Sequence, residues 1–192
     1  MRLNEAKLNE WAKSVHKNAT AHGWHEEKKS DAHWLCMIMT EVAEAVEADR
    51  KGQSANTNKM KDVLKVQREA EGEISSVWYE FWFPTYYKEY IKGSVDEELA
   101  DIFIRILDYA YEKFGEKMVW VTHRVRVYES WSFTDAAYYF VHGVLNSGMM
   151  NLSESIEFLY EWARRLGIDL DFHVEMKMKY NETRPFKHGK KY

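Results

Sequence analysis

"SVDEELADIFIRILDYAYEKFG", residues 94–115, carries the start, body and stop of one long helix. Ser94 and Glu97 have the spacing of a capping box, and Gly115 supplies the stop. Between them Leu99, Ile102, Ile106 and Tyr109 recur at three- and four-residue steps and line one apolar face. Acids crowd the edge of that face. Glu98 borders the apolar arc, Asp101 is its neighbour three residues on, and Asp108 continues the Asp101 side with Arg105 nearby.

The same conflict occurs upstream in "IMTEVAEAVEADRK", residues 38–51. On a helical wheel Glu41 falls inside the stripe formed by Trp34, Met37, Ile38 and Ala45, Glu44 borders it, and Glu47 turns toward water. An ionised carboxylate on a buried face is costly unless a cation or hydrogen bonds compensate it. Two acidic pairs on apolar-faced helices can compensate jointly by holding a metal ion. Oxygen-only ligands suit a hard cation, Mg²⁺ or Mn²⁺. The ordinary alternative is a solvated face, where acids spaced i, i+3 are common. A di-iron carboxylate bundle wants Glu-x-x-His pairs, and no histidine here follows a glutamate at that spacing.

Outward from these two helices the chain is breaker-poor, with two prolines and nine glycines in 192 residues. That predicts an all-α protein, and 45% hydrophobic residues suit a single domain over 1–192. Leu3, Leu8, Trp11 and Val15 predict a helix over 3–21, stopped by Gly23. Ser30 or Asp31 caps the next, over 32–51. Residues 53–60 form a polar connection. An unusually aromatic helical stretch over 61–92 is broken or kinked at Pro84. "VWVTHRVRVY", 119–128, alternates like a strand, an ambiguous pattern in so short a run. Helices are expected over 132–146, 152–167 and 169–183, the last stopping before Pro185. The aromatic run 78–90 is too apolar to leave exposed, which predicts packing in the core or at a subunit contact.

No stretch has the length of a signal-peptide core or a membrane span; "WLCMIM", 34–39, is far too short. The lone Cys36 excludes an internal disulfide and is expected to pack as a small hydrophobe, with the cytoplasm as default location. Six cations (Lys177, Lys179, Arg184, Lys187, Lys190, Lys191) against Glu182 give the final sixteen residues +5, leaving −9 for the rest of a chain whose net charge is −4. An acidic body disfavours nucleic acid as partner. It suits cations, as the tail suits phosphates.

"EVAE" at 41–44 followed by "EELAD" at 97–101 resembles the E-x-x-E and E-x-x-D motif pair of MazG-like NTP pyrophosphohydrolases, in the all-α NTP pyrophosphatase superfamily with dimeric dUTPases and dCTP pyrophosphatases. "KMKYNETRP" is similar to that family's K-x-x-x-N-x-x-R signature, matched by Lys177, Asn181 and Arg184, and "KHGKKY" and "GWHEEKKSDAHWL" are also similar to its sequences. Thr40 stands where many relatives carry a further glutamate, and the spacer before Glu98 is long. The resemblance implies a four-helix-bundle-like core from about 1–52, 95–114 and 167–192, with insertions at about 61–92 and 116–166. It implies hydrolysis of an NTP or dNTP to the monophosphate and pyrophosphate, by a homo-oligomer, dimer or tetramer. Glu41, Glu44, Glu98 and Asp101 would hold Mg²⁺, with Glu41 the expected base because its neighbours are apolar. Lys177, Asn181 and Arg184 would meet phosphate oxygens, and Lys187, His188 and Lys190 are further candidates. Trp24, His25 and Trp34 are candidates for the nucleobase, Trp34 fitting the core as well. The competing expectation is a catalytically silent helical module that binds nucleotides or partners.

Overall fold

The computed structural model describes residues 4–189 apart from His123 and Ser147; Leu3, Lys190, Lys191 and the side chain of His188 lie outside the described residues. The described chain is all-α. Helices α1 (Glu5–Ala21), α2 (Asp31–Arg50), α3 (Thr57–Glu71), α4 (Ser76–Phe81), α5 (Phe83–Tyr90), α6 (Val95–Phe114), α7 (Phe133–Tyr139), α8 (Met149–Leu166) and α9 (Leu170–Glu182) follow in order, and a π-helical turn Phe140–Val144 extends α7. No described helix is long and apolar enough to cross a membrane.

Local chemistry sets most helix starts. The side chains of Asn4, Ser30, Asn56, Ser75, Ser94, Ser132 and Asp169 each accept a backbone N–H of the first turn, satisfying a donor that the helix itself leaves open. Asn56 caps inside the expected polar connection, so α3 begins earlier than its apolar pattern suggests. Pro84 sits in the first turn of α5, where its missing N–H costs nothing, and the long aromatic helix is three shorter ones. The capping box at Ser94 is only half formed. Ser94 Oγ accepts from Glu97 N, but the Glu97 carboxylate turns to the N–H of Gly93 and the hydroxyl of Tyr87. A complete box forms at Ser132 and Asp135.

Helix α6 is the hub, packed against α1, α2, α8 and α9. Leu99, Ile102, Phe103, Ile106 and Leu107 on it are solvent-free and meet Leu8 and Val15 of α1, Ile38 and Ala45 of α2, and Val174 of α9 in one apolar cluster. Residues 116–166, set apart in the sequence reading as an insertion, belong to that cluster: Phe140, Leu152, Ile156, Phe158, Leu159 and Trp162 are all buried in it. A second cluster joins Met60, Leu64, Trp78, Phe83, Tyr87 and Ile91 to Met176 and Tyr180 of α9. The aromatic run is therefore divided, since Phe81 and Trp82 remain 65% and 61% exposed.

The strand-like stretch 119–128 forms no strand among its described residues. No other strand is there to pair with it among the described residues. Trp120 and Val127 bury their side chains, while Val121 N donates to Ser153 Oγ at 3.2 Å in place of a ladder bond. Cys36, expected inside, is exposed, because the outer face of α2 includes it. Beyond α9 the chain returns to the α1–α2 turn. Lys187 N donates to His22 O, and the Phe186 ring lies where a Cβ on Gly23 would stand. Gly23 also has φ of +81°, so a side chain is excluded there twice over.

Candidate functional site

The acidic edges of α2 and α6 face each other, and α9 crosses their end. Between them lies a cleft of about 960 Å³, counting the solvent at its mouth. All four expected acids line it, as do Lys177, Asn181 and Arg184, so residues up to 143 positions apart in sequence share one cavity.

The first group is Glu41, Glu44 and Glu98, each offering a carboxylate oxygen within 4.8 Å of the others. Glu41 is buried, as its wheel position predicts; of the two acids placed at the border of an apolar arc, Glu98 is buried and Glu44 opens to solvent. Burial, reinforced by the charges of Asp101 and Glu97, pushes the Glu98 carboxyl up to about 8. Its Oε2 is buried and accepts no hydrogen bond among the described residues. An unpartnered buried oxygen beside two further carboxylates fits a hard divalent cation. Glu41 is not enclosed by apolar groups alone. Its Oε1 accepts from Arg105 Nε at 3.0 Å, a pairing across 64 residues that no local pattern discloses.

Asp101 belongs to a second group. Lys177 Nζ stands 2.5 Å from Asp101 Oδ2 and 2.6 Å from Glu97 Oε1, with Lys177 and Glu97 almost free of solvent. Burial pushes Asp101 up to about 6 even against the Lys177 charge, and Glu41 adds to the rise. Burial acts the same way on Glu97, but the Lys177 ammonium beside it wins and holds its pKa below the usual value. Lys177 loses hydration, yet its two acid partners raise its pKa. Lys177 thus reaches the cleft as a fixed cation already balanced by two acids.

Asn181 Oδ1 is buried and accepts nothing among the described residues, while Arg184 is half-buried with its guanidinium carbon 5.9 Å from the Tyr180 ring centroid. Of the three base candidates only Trp24 lines the cleft, with the Arg105 guanidinium 5.8 Å from its ring centroid. His25 lies behind the cleft-lining Asp108, whose carboxylate is 2.9 Å from its Nε2, and Trp34 is buried between His25 and Tyr109. Trp34 does border a neighbouring recess with Trp24, Lys29 and Met37. Lys187 pairs with Glu26 at 2.7 Å rather than lining the cleft. Glu97, Arg105 and Lys92 line it without having been singled out as ligands; the doubled acid in "EELAD" was the available signal for Glu97.

No protein-family model matches this chain, and neither a curated protein nor a solved structure matches it.

Proposed function

We propose that the cleft hydrolyses a nucleoside triphosphate, NTP or dNTP, to the monophosphate and pyrophosphate. The observation that carries this reading is the division of the cavity: a close set of three carboxylates with an unpartnered oxygen on one wall, and Lys177, Asn181 and Arg184 on another. Glu41, Glu44 and Glu98 would hold Mg²⁺, or Mn²⁺ in its place, with Asp101 beside them. When bound, the ion supplies charge neutralisation for the phosphates and a more acidic water. Arg184 offers a planar fork of donors to phosphate oxygens, Lys177 a point charge, and the Asn181 amide a neutral donor. The unpartnered Oε2 of Glu98 is the oxygen that would meet the ion, whereas Glu41, the base expected from the sequence, is tied to Arg105. Trp24 is the candidate platform for the base.

The experiment is a panel of canonical and modified NTPs and dNTPs with Mg²⁺, following pyrophosphate release. Turnover is expected on at least one of them. Neither turnover nor Mg²⁺-dependent nucleotide binding on any member would overturn the reading. Binding without turnover would convert it to the silent nucleotide-binding module. Assembly as a homo-oligomer is part of the proposal and is read by sedimentation.

A further inference from the structure

A second set of metal-ligating side chains lies on the other side of Arg105 along α6. His16 of α1, His25 of the α1–α2 turn, and Asp108 and Glu112 of α6 converge, with ligand atoms of His16, His25 and Asp108 all within 4.8 Å of one another. His16 Nδ1 is 3.0 Å and His25 Nε2 2.9 Å from the same oxygen, Asp108 Oδ1. The remaining nitrogens turn to Glu112: His25 Nδ1 is 3.3 Å and His16 Nε2 3.9 Å from its Oε2. The side chains of His25 and Asp108 are 7% and 6% exposed.

We infer that His16, His25 and Asp108 form a binding site for a borderline divalent cation of the Zn²⁺ class, with Glu112 orienting the two rings. As an ion-pair network alone, this array faces carboxylate oxygen with both nitrogens of both rings. The two rings, with centroids only 4.2 Å apart, present their nitrogens to the single oxygen Asp108 Oδ1 and compete for it. A divalent ion resolves the conflict. It takes one nitrogen from each neutral ring together with the Asp108 oxygen, and leaves each ring a single N–H directed at Glu112. Imidazole with carboxylate suits Zn²⁺, and a metal-bound histidine commonly donates its other N–H to a carboxylate. The oxygen-only group around Glu98 has the opposite preference, so the two sites sort hard from borderline cations. The site also clamps α1, the Trp24-bearing turn and α6 together, which gives it a structural role beside the cleft. It does not depend on the proposed hydrolysis.

The test starts from protein stripped with a chelator and titrated with Co²⁺ in excess Mg²⁺. The intense visible bands of tetrahedral Co²⁺ should develop at a single equivalent and be discharged by Zn²⁺. They should persist in Glu44→Ala and vanish in His16→Gln and His25→Asn. Glu112→Ala should keep the bands and weaken binding about 10- to 100-fold. X-ray absorption of the unsubstituted Zn²⁺-loaded protein gives a reading that needs no variant, with two imidazoles in the first coordination sphere expected. Octahedral Co²⁺ bands only, bands unchanged in both histidine variants, or an all-oxygen Zn²⁺ shell would each overturn the inference.

Discussion

Lys177 Nζ donates to Glu97 Oε1 at 2.6 Å, and the two side chains are 3% and 1% exposed. The bond ties α9 to the first turn of α6 at the base of the cleft. Removing one member of a buried ion pair strands the other, so Glu97→Ala should lower unfolding stability by about 3–5 kcal/mol, with Asp101 keeping the loss near the lower end. Urea denaturation measures it. A loss within the range of surface substitutions would show that Lys177 relaxes to another acceptor.

Glu44 is the acid whose role can be isolated from folding. It is exposed, so Glu44→Ala should change stability by less than about 0.5 kcal/mol. Mg²⁺ or Mn²⁺ affinity should nevertheless fall about tenfold or more, by calorimetric titration, if the three-acid group holds the ion.

Glu98 predicts a pH dependence of definite sign. Its pKa in the fold, about 8, lies above the ordinary 4.5, so the folded state binds this proton more tightly than the unfolded chain. The associated stability is complete below about pH 4.5 and is lost as pH rises through about 8. Without divalent ions the protein should therefore lose stability across that window relative to Glu98→Gln, on the order of a few kcal/mol. Mg²⁺ should restore it at the alkaline end, because the ion favours the ionised carboxylate. Paired pH series of chemical denaturation, with and without Mg²⁺, check both signs.

The aromatic run predicts a sharp contrast between neighbours. Phe83 is solvent-free in the second apolar cluster, and Phe83→Ala should cost about 3–5 kcal/mol. Trp82, 61% exposed, should tolerate serine within about 0.5 kcal/mol. Thermal unfolding of the two variants separates them.

Much of the architecture was legible because its signals are local. Ser30 and Ser94 cap where their spacing predicts, and the burial of Glu41 followed from helical periodicity alone. What escaped depends on partners distant in sequence. Arg105 occupies Glu41, and Lys177 claims Glu97 and Asp101, through contacts that form only once α2, α6 and α9 have packed. His25 is a candidate base contact because it adjoins the acidic helix; in the fold its Nε2 is taken up by Asp108, 83 residues later. The alternation at 119–128 matches burial only in its second half, where Val125 and Val127 turn inward and Arg124 and Arg126 stay exposed; Val119 is 50% exposed beside buried Trp120.

Helix α9 has a consequence that reaches beyond the cleft. Val174 belongs to the main apolar cluster, Met176 and Tyr180 to the second, and Lys177 and Asn181 face the cavity between. One rod therefore serves three compartments, and a molecule gripping its cavity-facing side should restrain the 57–91 lobe, which stacks on α9 through Tyr87 and Tyr180. Slower amide exchange along α3 and α5 would register occupancy of the cleft, making that lobe a built-in gauge of whether the cleft is filled.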